Sequence, residues 1–344
     1  MTEDPGVKLA GYGEQRLIGL LQGMLGIRRK KEVLLGLGDD CAVINAGSTH
    51  MLLTADMLIE GSHFERRFTT PRQLGRKAMN VNLSDLAAMG GTPRYALLSV
   101  GLPGDLEVGW FEELAAGLEE AAEPLDCDIV GGDTTRAPQI IISLALVGEA
   151  PRPVLRSRAR QGESLYLTGP TGLAAAGLEV LRAGRGAEFP RLVAAQNDPQ
   201  ARVRAGAALA ASKLVGGMID VSDGLARDLG HLCRLSNVAG VLREPLLEVD
   251  PDVLLAAEAL GKDPLGWVLG GGEDYELLFT SLSSHEPQLS ALLAENGCRL
   301  IRVGELIRGQ GVGLAGDGGP VRPVGGLGFD HFGGEPPRAT SGPS

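Results

Sequence analysis

The sequence predicts an α+β fold in two domains, and three observations carry that expectation. The chain has 344 residues, more than one ordinary domain holds. Apolar runs of strand length and amphipathic stretches of helix length are mixed along it without regular βαβ alternation. Near the middle, Pro151-Arg-Pro153 interrupts the pattern, which then begins again. The expected division is an N-terminal domain over 1–150, a C-terminal domain over 151–332 and a disordered tail over 333–344.

In the first half, residues 13–25 carry apolar side chains at helical spacing and predict an amphipathic helix. Gly36 and Gly38 then precede two adjacent carboxylates, Asp39 and Asp40, and Cys41-Ala-Val-Ile starts a strand. A second strand covers 51–58, with Asp56 near its end and His63 seven residues on. Residues 72–89 form a helix stopped by Gly90-Gly91 before Pro93. Leu83, Leu86 and Ala87 mark its apolar face, while Asn82 and Asp85, three apart, share another. Residues 95–103 read as a strand and 107–123 as an amphipathic helix. Residues 128–136 read as a short apolar strand ending in a Gly131-Gly-Asp turn, and 139–148 as a further strand.

In the second half, 164–169 is a strand that passes through a Gly turn into a helix ending at 181. The turn, Thr168-Gly-Pro-Thr-Gly172, is either an anion cup at a helix N-terminus or a tight βα connection. Residues 184–197 read as irregular and 200–213 as an Ala-rich helix. Residues 218–225 make a strand-to-helix turn, with the helix running through Cys233. A helix covers 251–260, and a run of glycines at 270–272 feeds a strand ending at Phe279. A helix over 288–296, a strand over 299–305 and the closing segment 325–332 complete the fold.

Composition excludes several classes of function. Hydrophobic residues at 44% supply sizeable cores, but with 4% aromatic residues those cores must be built from Ala, Leu and Val. The net charge of −11 and absence of a basic stripe argue against nucleic-acid binding. An acidic chain that handles phosphates needs cations as bridges. Cys41, Cys127, Cys233 and Cys298 are scattered without a C-x-x-C, so they read as buried thiols of a reducing, cytoplasmic compartment. The acidic first residues lack a secretory apolar region, and no run of 18 apolar residues spans a membrane. No P-loop, protein-kinase motif set or nucleophile elbow occurs.

What remains is an acidic constellation. Asp39/Asp40, Asp56, Asp85, Asp133 and Asp220/Asp223 stand at turns or strand ends, beside Gly, Ser or Thr, and Glu273/Asp274 follows three glycines. One such acid is ordinarily a turn or cap residue. Together they supply the oxygen ligands that Mg²⁺ takes along with water and phosphates.

The segments Gly38-Asp-Asp-Cys-Ala-Val, Asn80-Val-Asn-Leu-Ser-Asp-Leu-Ala-Ala-Met-Gly, Gly131-Gly-Asp-Thr-Thr-Arg, Ile219-Asp-Val-Ser-Asp-Gly-Leu, Gly271-Gly-Glu-Asp-Tyr-Glu-Leu and Gly328-Phe-Asp-His-Phe occur in this order. In this they resemble the thiamine-monophosphate kinase family, of the superfamily that includes aminoimidazole ribonucleotide synthetase. The resemblance implies two α+β domains with mixed sheets flanked by helices, a homodimer formed through the N-terminal halves, and ATP with several Mg²⁺ ions. It implies direct transfer of the ATP γ-phosphate onto thiamine monophosphate, with no general base. By position it implies metal ligation by Asp40, Thr54, Ala55, Asp56, Asp85, Asp133, Asp220 and Asp223. It implies ATP contacts from Gly132, Asp133, Arg156 and Ser222, and acceptor contacts from His63, Glu273 and Phe329. Two positions depart from the family pattern: Ala55 can ligate only through its carbonyl, and Phe329 lacks a hydrogen-bonding tip. Two other readings stand beside it. One is a sister synthetase acting on a formyl or carbamoyl group; the other is a non-enzymatic nucleotide- or metal-binding protein.

Overall fold

The structure is a computed structural model and describes residues 14–25, 30–317, 319–324 and 326–330. The expected tail, the first residues and the His331-Phe332 end of the closing motif lie outside the described residues. After helix α1 (Glu14–Leu25) come β1 (Val33–Leu35), β2 (Ala42–Asn45) and β3 (His50–Ile59). Helix α2 (Pro71–Ala88), β4 (Thr92–Leu102), α3 (Val108–Ala122), β5 (Asp128–Arg136) and β6 (Ile141–Ala150) complete the first half. Its sheet runs in the order β1-β2-β3-β6-β4-β5, and only β4 and β5 pair in parallel.

One face of this sheet is covered and the other is open. Leu52, Leu58, Ile142, Leu144 and Leu146 alternate toward α2 and are buried, as a half-covered sheet requires. Met57, Tyr95, Leu97 and Val130 stand exposed.

The second half begins with β7 (Ser164–Leu167), α4 (Leu173–Arg182), α5 (Pro190–Asn197), α6 (Val203–Ser212) and β8 (Val215–Asp220). Then follow α7 (Leu225–Ser236), β9 (Ala239–Arg243), α8 (Pro251–Leu260), α9 (Pro264–Gly270), β10 (Leu277–Ser281), α10 (Glu286–Glu295), β11 (Ile301–Ile307), β12 (Gly311–Ala315) and β13 (Arg322–Pro323). The sheet order is β13-β12-β9-β11-β7-β10-β8, mixed because β9 and β12 run parallel. Two mixed sheets flanked by helices form the α+β architecture expected from the sequence.

Helix α2 joins the halves. Thr70 accepts from Gln73 N while Gln73 Oε1 accepts from Thr70 N, and Pro71 opens the first turn, so the start of the helix is capped on both sides. Its far end meets α6 so closely that a Cβ on Gly206 would lie 2.1 Å from the Ala87 carbonyl oxygen. One apolar cluster runs from Leu52 and Leu83 through Leu209 to Met218 and Phe279, so the sheets share a core across the helix.

Three expectations are corrected. Residues 190–197 form helix α5, started by Pro190 and pinned by buried Leu192, Gln196 and Asn197; the glycines just before them hid the pattern. Residues 128–136 are neither apolar nor ended at Gly131-Gly-Asp: β5 continues through the glycines and is largely exposed. Gly132 permits this, with φ of +150° and a notional Cβ only 1.6 Å from the Leu98 carbonyl oxygen. Strands β1, β9, β12 and β13 and helix α9 were not predicted; each is seven residues or shorter.

Candidate active site

Three carboxylates meet at the seam between the sheets. Asp40 leads into β2, Asp85 lies in the last turn of α2 and Asp220 ends β8. One ligating oxygen from each lies within 4.8 Å of the others. Hydroxyls hold two of them in place: Ser84 Oγ donates to Asp220 Oδ2 at 2.6 Å, across the two halves, and Thr54 Oγ1 donates to Asp85 Oδ2. Asn82 is buried and its Oδ1 accepts from Asp56 N at 2.9 Å. The shared face of Asn82 and Asp85 therefore turns inward to β3 and is not a solvated edge.

Burial and mutual repulsion leave Asp220, Asp85 and Asp39 reluctant to ionise. Burial, then Asp40, push Asp220 up to about 8. Burial and the charges of Asp56, Asp220 and Asp40 hold Asp85 well above the carboxylate range. Asp39 is pushed to about 7 by burial and by Asp40. Among the described residues the cation within the group is Arg156, whose Nε donates to Asp40 Oδ2 at 2.9 Å while a terminal nitrogen reaches Asp40 Oδ1. Its backbone N–H donates to Asp39 Oδ2 at 3.2 Å. An all-oxygen set with excess negative charge, organised from several elements, is chemically suited to a hard divalent cation such as Mg²⁺.

A consequence for pH follows from these values. In the metal-free folded chain, Asp39 and Asp220 retain protons that the unfolded chain, with ordinary aspartates, has released. Folding stability without metal should therefore fall as pH rises from about 4 to about 8. Mg²⁺ bound at these carboxylates would displace those protons, so its stabilisation should grow over the same window. Melting curves with and without Mg²⁺ at about pH 5.5 and 8 test this; an equal Mg²⁺ shift at both would refute it.

Beside this cluster, residues 222–224 form a tight loop at the start of α7. The backbone N–H groups of Ser222, Asp223 and Gly224 all donate to Asp228 Oδ2, at 3.1, 3.0 and 3.0 Å. Asp223, Asp228 and His231 form a second group with ligand atoms within 4.8 Å. Burial and nearby arginines push His231 down to about 3, so it is neutral. Asp228 was not singled out in the sequence, where it reads as an ordinary first-turn acid. Asp223 lies 3.2 Å from Arg227, and Phe329, half-exposed, donates its N–H to Asp223 O at 3.0 Å.

Gly132 and Asp133 are not brought into the carboxylate cluster. They lie on the edge strand β5, and the register sets Asp133 in one row with Ser99, Ser143 and the exposed Met57, away from the face packed on α2. Ala55 alternates onto that same open side of β3.

A separate pocket opens where the two halves meet, beside the N-terminal part of α2. His63 and Glu273 line it, with Phe68, Lys77, Leu178 and Gln196. His63 Nδ1 accepts from Ile59 N at 3.0 Å, which fixes its ring. Glu273 has φ of +67°, unusual for a side chain with a Cβ, and its N–H donates to Ser222 O at 2.8 Å. Phe329 does not line this pocket. The α4 N-terminus, read as a possible anion cup, is filled by the chain itself: Asp274 accepts from Gly172 N at 2.6 Å and Ala174 N at 3.1 Å.

Comparison with known proteins bears on this arrangement. The family models AIR synthase related protein, N-terminal domain, and AIR synthase related protein, C-terminal domain, match residues 38–150 and 160–317. Thiamine-monophosphate kinase of Aquifex aeolicus is 35% identical over 95% of this chain and all of its own length. That of Mycobacterium tuberculosis (strain H37Rv) is 39% identical over 80% of this chain and 82% of its own. The solved structure of AaThiL complexed with AMPPCP and TMP superposes with a TM-score of 0.82 at 34% identity, covering 96% of this chain and all of that one.

Proposed function

The chain belongs to the AIR synthase related family and, within it, to the thiamine-monophosphate kinases, and from that premise we propose how its own residues carry out the transfer. The reaction is ATP-dependent phosphorylation of thiamine monophosphate to thiamine diphosphate, the last step in making that cofactor. One observation carries the reading. The carboxylates Asp40, Asp85 and Asp220 stand together at one end of α2, and a pocket lined by His63, Lys77 and Glu273 opens toward its other end.

Two phosphate-bearing anions must approach each other, and little covalent help is required. Bound Mg²⁺ would neutralise their charge and align the attacking and leaving oxygens. Asp40, Asp85 and Asp220 would hold it, with Asp56 and the Thr54 hydroxyl beside them. Asp133, Asp223 and the Ala55 carbonyl are assigned to further ions. Ser222, Gly132 and Arg156 are assigned to the nucleotide and His63 and Glu273 to the acceptor, while Phe329, outside that pocket, keeps no acceptor role in this arrangement. No side chain is assigned as general base, because the attacking phosphate oxygen is already ionised. Release of ADP on adding thiamine monophosphate tests the function. ADP formed only with another acceptor, together with a cyclised or activated product, would instead favour a sister synthetase.

The open face of the first sheet supports a homodimer. Met57, Tyr95, Leu97 and Val130 would leave water against a second copy. Gly132 and Asp133 lie on the edge strand of that face, so the second copy would also help wall the nucleotide site. Light scattering of an active preparation should give about twice the 35.8 kDa chain mass. An active species at the single-chain mass would refute the dimer. Four unpaired cysteines, three of them buried, suit a cytoplasmic enzyme.

A further inference from the structure

The acceptor pocket contains a cation that the charge of the acceptor does not call for. Thiamine monophosphate carries a permanently positive thiazolium, yet Lys77, with 3% of its side chain exposed, projects from α2 into the wall of the pocket. Its Nζ lies 2.8 Å from Glu273 Oε1 and donates to Gln196 O at 3.0 Å. Gln196 Nε2 in turn donates to the other carboxylate oxygen, Glu273 Oε2, at 2.6 Å. Glu273 is therefore not a spare negative charge. Its charge is matched by a buried ammonium, and each of its oxygens already accepts one hydrogen bond from the protein.

A carboxylate has about four acceptor lone-pair sites. Lys77 and Gln196 occupy one on each oxygen, and the helices that carry them leave the group little freedom to turn. The remaining sites face the pocket. A neutralised, immobilised carboxylate gains little from a diffuse cation, but it accepts well from an N–H donor placed in line with it.

Resting on the thiamine-monophosphate kinase reading above, we propose that Lys77 and Gln196 are positioning residues that convert Glu273 from a counter-charge into an oriented hydrogen-bond acceptor. The feature of the acceptor it selects is the exocyclic amine of an aminopyrimidine, not the thiazolium charge. An analogue lacking that amine would exclude water from the remaining acceptor sites of Glu273 without replacing it, which costs a factor of about 10 to 100.

The experiment compares thiamine monophosphate with its 4′-desamino analogue, which keeps the thiazolium and the phosphate. The wild-type protein should show about 10- to 100-fold lower kcat/KM with the analogue. In Lys77→Met the discrimination should shrink to within about threefold, through a higher KM for thiamine monophosphate, with the KM for ATP unchanged. Lys77→Met alone leaves Glu273 uncompensated, which costs stability. The double variant Lys77→Met/Glu273→Leu removes both charges and the acceptor oxygens; it should melt closer to wild type and still fail to discriminate. Equal use of both acceptors by the wild-type protein would overturn the proposal while leaving the kinase intact. Retained discrimination in a folded double variant would overturn it as well. Failure to phosphorylate thiamine monophosphate at all would remove the reading beneath it and the proposal together.

Discussion

Asp85→Asn should lower turnover by about a thousandfold or more at saturating Mg²⁺ while leaving the fold intact. Loss of a metal ligand removes several kcal/mol of charge stabilisation from the transition state, and about 4 kcal/mol corresponds to three orders of magnitude. The fold should survive because the amide oxygen of Asn can still accept from Thr54 Oγ1. The substitution also takes Asp85 out of its repulsion with Asp56, Asp220 and Asp40. The metal-free variant should therefore melt no lower than the wild type. Steady-state ADP release and a melting curve make the pair of measurements. Wild-type turnover would remove Asp85 from the metal site, and a large drop in melting temperature would recast it as structural.

Arg156→Met should destabilise the metal-free protein by about 3–5 kcal/mol, because removing one partner of a buried ion pair strands the other. The Asp40 side chain is fully buried and Arg156 supplies both of its short contacts, with Asp39 3.5 Å away. Mg²⁺ at Asp40 would supply the missing positive charge, so saturating metal should restore much of the loss. On the proposed assignment Arg156 would have two partners at different stages: the carboxylates before metal arrives, and the nucleotide phosphates once metal has taken its place on the carboxylates. Chemical denaturation with and without Mg²⁺ measures it, and a deficit that Mg²⁺ leaves untouched would rule out this exchange.

Local pattern carried part of this site and distance hid the rest. The spacing of Asn82 and Asp85 on one helix face, and the pairing of acids with Gly, Ser and Thr at Asp40 and Asp220, are features within a few residues of each other. The structure finds Asp40, Asp85 and Asp220 together. Lys77 and Gln196 carried no such signal. A lysine on an amphipathic helix ordinarily faces water, and its carboxylate partner lies far along the chain at Glu273. Asp228 looks like a first-turn acid until three backbone N–H groups are seen to converge on it. The short strands β9 and β12 are Gly- and Ala-rich, and they owe their place to sheet neighbours and not to their own alternation. Helix α5 was obscured by the glycines before it, and β5 by a glycine conformation that no hydrophobic pattern announces.

Helix α2 presents Lys77 at the acceptor pocket and Asp85 at the carboxylate cluster, eight positions apart on one rigid rod. At 1.5 Å per residue the two lie about 12 Å apart along the axis. The helix is capped at one end and wedged against Gly206 at the other, so this separation cannot stretch. On the proposed assignment it would act as a ruler: an acceptor would be measured between its amine and its phosphate, and a molecule with the right groups on a longer or shorter tether would seat one end and miss the other.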